Sequence, residues 1–462
     1  MRIFCVNTHF FRTLFCHINY FIYLCSENSG SNTQILRKTI IHTIMNIQRP
    51  LYLQKLINRK HNGMIKIITG LRRSGKSHLL FQLYKDYLLQ QGILLNHIIA
   101  IDLEDYNQSA LHQPKNLLEH IDSQINSQDW YYIFIDEVQH LKQFEDVLNT
   151  LLKRGNLDVY VTGSNARFLS KDVVTTFRGR GDEIHIHPFN FQEFASAKSN
   201  TPYQELLREY MIYGGLPQLC AFTTEEQKES YLKALFTETY LKDIRERYNI
   251  LDDGDMEELI DIIASSIGSM QNPLKLQNTF KSVKQSNITS DTIKRYLDHL
   301  QDAFLIEKSL RFDIKGKRYI STPQKYYFED LGLRNARLNF RQFEPTHLLE
   351  NMLYNELRIR GFSVDVGQVI THQKDEKGVS QRQTLEVDFV CNRGNKRCYI
   401  QSAYSMPSYD KIQQELKSLM HIHDNFIKVI VTADLTPTHY MDNGVLVINL
   451  QDFLTKEDSL PL

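Results

Sequence analysis

The chain has 462 residues, room for about three domains, and its 54 basic and 54 acidic side chains cancel. That balance excludes a chain-wide field drawing in polyanions or acidic lipid, while leaving local basic faces open. An apolar content of 42% suits ordinary globular cores, and six cysteines without a C-x-x-C pair exclude a zinc ribbon or a disulfide framework. A reducing, cytoplasmic setting is the default expectation.

Residues 1–44 differ in character from the rest: they are aromatic, carry Cys5, Cys16 and Cys25, and are broken by Asn, His and Arg. As a secretory leader, the apolar run is interrupted and no small-residue cleavage site follows. As a membrane span it is too polar and too short, so no membrane partner is expected. The favoured reading is that translation begins at Met45, and that residues 1–44 pack poorly. From Met45 a polar lead runs into a helical stretch, Leu51–Ile57.

Gly70-Leu71-Arg72-Arg73-Ser74-Gly75-Lys76-Ser77 satisfies G-x-x-x-x-G-K-[ST] at every fixed position. The preceding Met64–Thr69 reads as a buried parallel strand. The following stretch carries Leu79, Leu80, Leu83, Tyr84, Tyr87 and Leu88 at helical spacing. Strand, glycine loop and helix together make a phosphate cradle. The glycines let successive N–H groups face an anion, and the helix N-terminus adds partial positive charge. Lys76 is expected to reach the β- and γ-phosphates of ATP and Ser77 to ligate Mg²⁺. Gly70, Arg72, Arg73, Ser74 and Gly75 complete the nucleotide-binding set, the two arginines making the loop unusually basic.

A second buried strand is expected over 97–103, then an amphipathic helix over 115–126. Trp130 to Gln139 runs apolar into Asp136-Glu137, the pattern of an acidic strand end that serves a nucleotide. Asp136 would hold Mg²⁺, partly through water, and Glu137 would polarise the attacking water. The plainer alternative is a buried strand ending in solvated acids. A helix over 141–154 and a strand from Asp158 follow. The strand ends in Gly163-Ser164-Asn165, where Ser164 and Asn165 read either as sensors of the γ-phosphate or lytic water, or as a helix N-cap. In Phe177-Arg178-Gly179-Arg180, Arg180, or less favourably Arg178, reads as an arginine finger, in its own chain or in a neighbouring subunit of a homo-oligomer. The alternative is a surface loop with solvated arginines. His185 and His187 point the same way from a strand over 183–187, but nothing else in the sequence completes a metal site, so they are expected to be exposed.

GLRRSGKS, IFIDEVQHL, VTGSNARFLS, FRGRGDEIHIHPFNFQEF and YGGLP occur in that order. Together they resemble the AAA-type P-loop ATPases of bacteria and archaea that carry a C-terminal domain of uncharacterised function, of the DUF4143 type. The resemblance spans roughly residues 46–455. It implies ATP binding and a core with an extra strand between the P-loop strand and the acidic strand.

The fold class expected is α/β: a P-loop NTPase parallel-sheet core over 45–200, then a helical connector over 201–254 in which Gly214-Gly215-Leu216-Pro217 reads as a hinge. A winged-helix module follows over 255–340. Its third helix is capped by Thr289, and Lys294, Arg295, Lys315, Lys317 and Arg318 supply charge for DNA or none beyond packing. The order of elements over 341–462 resembles the restriction-endonuclease-like fold. That resemblance implies metal positions at Glu350, Asp388 and near Gln401. The closing lysine of the motif is missing from Gln401-Ser402-Ala403, which argues for a degenerate domain with binding or structural duty. The function expected is Mg²⁺-dependent ATP hydrolysis coupled to movement of the later modules. The alternative is a DNA-binding or nuclease-like protein using its nucleotide site as a switch.

Overall fold

Five short strands, the first four largely apolar and the fifth polar, build the first sheet: β1 (Ile65–Thr69), β2 (Ile98–Asp102), β3 (Tyr131–Asp136), β4 (Leu157–Thr162) and β5 (Gly181–His185). In the computed structural model the described residues are 47–164, 179–198, 201–250, 254–374 and 380–462. The readings made for residues 1–44, Asn165 and Arg178 lie outside them.

The strands pair in parallel in the order β2-β3-β4-β1-β5. β4 therefore separates the P-loop strand from the acidic strand. Continuous apolar runs are what such a sheet requires, because helices cover both faces. On one face Leu117, Ile121, Leu148 and Leu151 pack on Ile67, Ile133, Ile135 and Val161. On the other, Tyr52, Leu56, Leu79, Leu83 and Leu88 meet Ile68, Phe134 and Tyr160. The first of these covering helices is α1 (Pro50–Ile57). The P-loop helix, α2 (76–90), is continuous, its middle wound as a π-helix over Leu79–Tyr84.

Beyond the connector come three helices, α3 (Gly254–Ser265), α4 (273–284) and α5 (Ser290–Asp302), and a hairpin of β6 (Ile306–Asp313) and β7 (Arg318–Phe328). The Thr289 hydroxyl caps α5 as expected, accepting from Thr292 N at 3.2 Å. The hairpin strands are longer than the sequence suggested, and β6 pairs in parallel with β8 (Ser363–Lys374). The hairpin is thus the edge of an eight-stranded sheet, order β12-β13-β11-β10-β9-β8-β6-β7. The remaining members are β9 (Ser380–Arg393), β10 (Lys396–Ala403), β11 (Ile427–Thr432), β12 (His439–Tyr440) and β13 (Leu446–Asn449). The helix α6 (Pro345–Ile359) buries Leu349, Leu353 and Leu357, the stripe read from the sequence.

Two expectations change here. The Gly214-Gly215 turn, read as a hinge, is pinned on two sides. Gly215 N donates to Asp330 Oδ2 at 2.8 Å, and Gly215 O accepts from Phe189 N at 2.7 Å. Only glycine fits at 214: its φ is +76°, and a Cβ would lie 2.4 Å from Asp330 Oδ1. His185 and His187, expected to be exposed, are half-buried and buried, because Glu329, just past β7, covers the end of β5.

Candidate functional site

The loop after β1 must reverse direction at once, and Gly70 makes that possible. Its φ is +134°, and a Cβ there would lie 2.1 Å from Ile186 O, so no other residue fits. Arg73 and Gly75 also take positive φ, which curls the loop over the start of α2. Inside the curl the buried Lys76 ammonium donates to Gly70 O at 3.1 Å and Leu71 O at 3.2 Å. Burial lowers its pKa, opposed by the charges of Glu137 and Asp136. The Ser74 hydroxyl is buried without a hydrogen-bond partner.

The acidic strand end meets this loop. The Ser77 hydroxyl is near enough to the Asp136 carboxylate to help lower its pKa, and Thr162, at the end of β4, donates its hydroxyl to Asp136 Oδ1. Thr162 Oγ1 also accepts from Glu137 N at 2.9 Å. Burial raises the Asp136 pKa, and the nearby Glu137 and Asp102 add to it against the hydroxyl contacts. Such a carboxyl is poised for a cation.

Glu137 sits in the left-handed region with φ +45°, which turns its carboxylate back toward the loop. Its Oε2 accepts from Ser164 Oγ at 3.0 Å and from Gln139 Nε2. Burial raises its pKa, but Lys76, Gln139, Ser164 and Arg72 together outweigh burial and hold it below the usual carboxylate range. It is therefore ionised at neutral pH. Lys76, Ser77, Asp136, Glu137 and Ser164, spread over nearly ninety positions of sequence, come together at the C-terminal ends of β1, β3 and β4.

The two loop arginines divide. Arg72 is engaged by Asp243 and by Glu104 at 3.2 Å, and its carbonyl accepts from the Tyr240 hydroxyl at 2.7 Å. Those contacts tie the loop to the connector. Arg73 is exposed.

Arg180 is not brought to the site. Its carbonyl accepts from Ile65 N at 2.9 Å, which puts it at the foot of β1. The five residues of β1, at about 3.3 Å each, then separate it from the loop by roughly 16 Å. The finger role within the same chain is therefore corrected. A side chain starting at the opposite edge of the sheet does not reach this chain's own phosphates.

Sequence reasoning missed three residues here. Thr162 and Gln139 carried no signal beyond being polar near a strand end. Arg49 is 1% exposed; its Nε and Nη2 each lie 3.1 Å from the Glu193 carboxylate. Its Nη1 donates to Ser74 O at 2.9 Å and its Nη2 to His187 O at 2.8 Å. The cation thus clamps the P-loop from beneath. Asn190-x-x-Glu193, a capping box, was the available sign that Glu193 is held in place.

In the C-terminal sheet the expected positions do cluster, around a cation the chain itself supplies. Lys325 Nζ, on β7, lies 2.8 Å from Glu350 Oε1 and 2.6 Å from Glu386 Oε1. Tyr327 donates to the same Glu350 oxygen at 2.7 Å, and Asp388 Oδ2 accepts from Ser402 N at 2.8 Å. Gln401 is turned to Ser418 at 3.4 Å. Burial and Glu350 push Asp388 up to about 8, opposed by Lys325.

A parallel sheet in this order, with a glycine loop on one strand and paired acids two strands away, defines a P-loop NTPase core of the AAA type. The model of the AAA domain family matches residues 62–195, and that of a domain of unknown function, DUF8612, matches residues 204–344. The chain is 35% identical over 413 residues to an uncharacterized protein of Haemophilus influenzae, covering 88% of this chain and 98% of that one. It belongs to that protein's family. A second relative, the uncharacterized protein MJ1544 of Methanocaldococcus jannaschii, is 29% identical over 86% of each chain. Among solved structures, the Orc1 protein of Aeropyrum pernix in complex with DNA matches with a TM-score of 0.29 and 10% identity, over 63% of this chain and 92% of that one. Protein VC1899 of Vibrio cholerae matches with a TM-score of 0.20 and 14% identity, over 79% of this chain and 96% of that one. No helix among the described residues is long and apolar enough to cross a membrane.

Proposed function

We propose that the chain binds ATP with Mg²⁺ at the loop over 70–77 and hydrolyses it. The observation that carries this reading is that the phosphate cradle and the acidic strand end meet: the buried Lys76 ammonium and the Asp136 and Glu137 carboxylates act on one another's charge, with Thr162 bonded to both acids. Hard oxygen donors of this kind suit Mg²⁺. Lys76 would neutralise the β- and γ-phosphates, while Glu137, already ionised, would orient the attacking water. Ser164, bonded to Glu137, would act through that carboxylate. Lys76→Ala is expected to abolish ATP binding in a calorimetric titration; undiminished affinity would refute the site. Glu137→Gln should bind ATP normally and lose about 10²–10⁴ in turnover. Unchanged turnover in that variant would remove Glu137 from the role.

Coupling to the later modules has a physical route, because Arg72 joins the phosphate loop to Asp243 and to Tyr240 of the connector. If Arg180 serves as a finger, it serves a neighbouring copy in a homo-oligomer. Mixing Arg180→Ala with Glu137→Gln chains should then restore some turnover, and an inert mixture would exclude the arrangement.

A second reading, DNA binding, rests on Lys294 and Arg295, exposed on α5, and on Lys315 and Lys317, exposed at the β6–β7 turn. Three helices followed by a hairpin is the element order of a winged helix. A DNA affinity that falls steeply with salt would favour it, and no binding at low salt would exclude it. Nuclease action finds less support, since Lys325 stands among Glu350, Glu386 and Asp388 where a metal would need to be.

A further inference from the structure

A second cluster lies beside the P-loop strand and plays no part in the nucleotide chemistry above. His185 and His187 stand two residues apart at the end of β5, their rings edge-on with centroids 4.5 Å apart. Glu329, the first residue after β7, puts Oε1 2.8 Å from His185 Nε2 and 3.3 Å from His187 Nδ1. The three donor atoms all lie within 4.8 Å of one another, and this is the one such histidine–carboxylate group among the described residues.

Accounting for protons makes the arrangement informative. The Thr69 hydroxyl donates its single proton to Glu183 at 2.8 Å, so toward His185 Nδ1, 3.2 Å away, it is an acceptor. Nδ1 of His185 therefore carries a proton, which leaves Nε2 as the ring nitrogen that faces the carboxylate oxygen. Without a metal, a proton joins that pair, and a metal ion would take the proton's place. His187 Nδ1 is buried, faces the same oxygen, and has no hydrogen-bond partner. Three atoms able to ligate a metal thus converge. Outside them, Thr69 and Glu183 fix the His185 tautomer, as partners of metal-bound imidazoles do.

We propose that His185, His187 and Glu329 bind one divalent transition-metal ion of the zinc class. Two imidazoles and a carboxylate select zinc, cobalt or nickel over magnesium. Zn–N distances of about 2.0–2.1 Å in a tetrahedron imply donor separations of about 3.3 Å; the two histidine–carboxylate separations present are 2.8 and 3.3 Å. Water would take the fourth position, reached on the His185 side, where the ring is 26% exposed. The ion would fasten the end of β5 to the segment after β7, directly under the phosphate loop: Thr69 precedes Gly70, and the charge of Glu329 reaches Lys76.

The test is Co²⁺ titration of the full chain after chelator treatment, in millimolar Mg²⁺ so that hard oxygen sites are occupied. One equivalent of Co²⁺ should give the visible absorption of a four- or five-coordinate nitrogen–oxygen site, without a thiolate charge-transfer band, and Zn²⁺ should displace it. Thermal unfolding should shift upward with Zn²⁺. His187→Ala should abolish the spectrum and Glu350→Gln should leave it intact. No visible spectrum from the wild-type chain at a tenfold excess of Co²⁺ would overturn the proposal, and needs no variant to fold. So would a thiolate band, or an equal spectrum in His187→Ala.

Discussion

At the scale of the residue, the buried charges around the glycine loop are placed against other charges rather than against water. Glu137 stays ionised because Lys76 and two hydrogen-bond donors outweigh its burial. Arg49 shows the same logic in support of the phosphate loop. Its guanidinium is buried, paired with Glu193, and spends two further donors on Ser74 O and His187 O. Arg49→Ala would leave a largely buried carboxylate and two carbonyls without partners, at a cost of about 3–5 kcal/mol. Chemical denaturation should show that loss, with ATP affinity falling as the loop loosens; a loss under ~1 kcal/mol would mean that water replaces the guanidinium easily.

At the scale of the element, the local patterns that sequence carries well are the ones with strict periodicity or fixed chemistry. The run Met64–Thr69, the loop over 70–77 and the Asp136-Glu137 strand end were legible because a parallel strand buried on both faces must be apolar, and a phosphate cradle needs glycine at set places. The burial of His185 and His187 was not legible. It depends on Glu329, more than 140 positions away, and β5 alternates like a half-exposed strand. Nor could spacing show that Lys325 enters from β7 to stand among Glu350 and Glu386, since the expected motif looked for its lysine on β10. The Gly214-Gly215 turn was recognised as special for the wrong reason. Its glycines allow close approach to Asp330 and Phe189 rather than motion. Gly214→Ala should therefore destabilise the chain by about 1–3 kcal/mol from backbone strain alone. A melting temperature equal to the wild type would show that Asp330 moves aside at little cost.

At the scale of the whole molecule, the segment after β7 holds much of the chain together. Glu329 meets the end of β5, Asp330 takes the glycine turn, and the β6–β7 hairpin edges the C-terminal sheet. That sheet contains a group whose ionisation opposes folding. Burial and Glu350 raise Asp388 from 3.8 to about 8. The folded chain thus binds that proton more tightly than the unfolded one. Its contribution to stability falls as pH rises from about 4 to about 8. Asp388→Asn should gain stability relative to wild type at pH 8.5 more than at pH 5, as read from denaturation midpoints at both values. A difference independent of pH would mean that Asp388 is ionised in the fold throughout.

The central claim is that the glycine loop and the acidic strand end grip a single triphosphate and its metal. Mn²⁺ in place of Mg²⁺ tests it most directly, by electron–nuclear double resonance on the chain with ATP. One Mn²⁺ per chain should bind only with nucleotide and show phosphorus coupling, lost in Lys76→Ala and weakened in Asp136→Asn. Mn²⁺ that binds without phosphorus coupling, or with coupling indifferent to both substitutions, would contradict it.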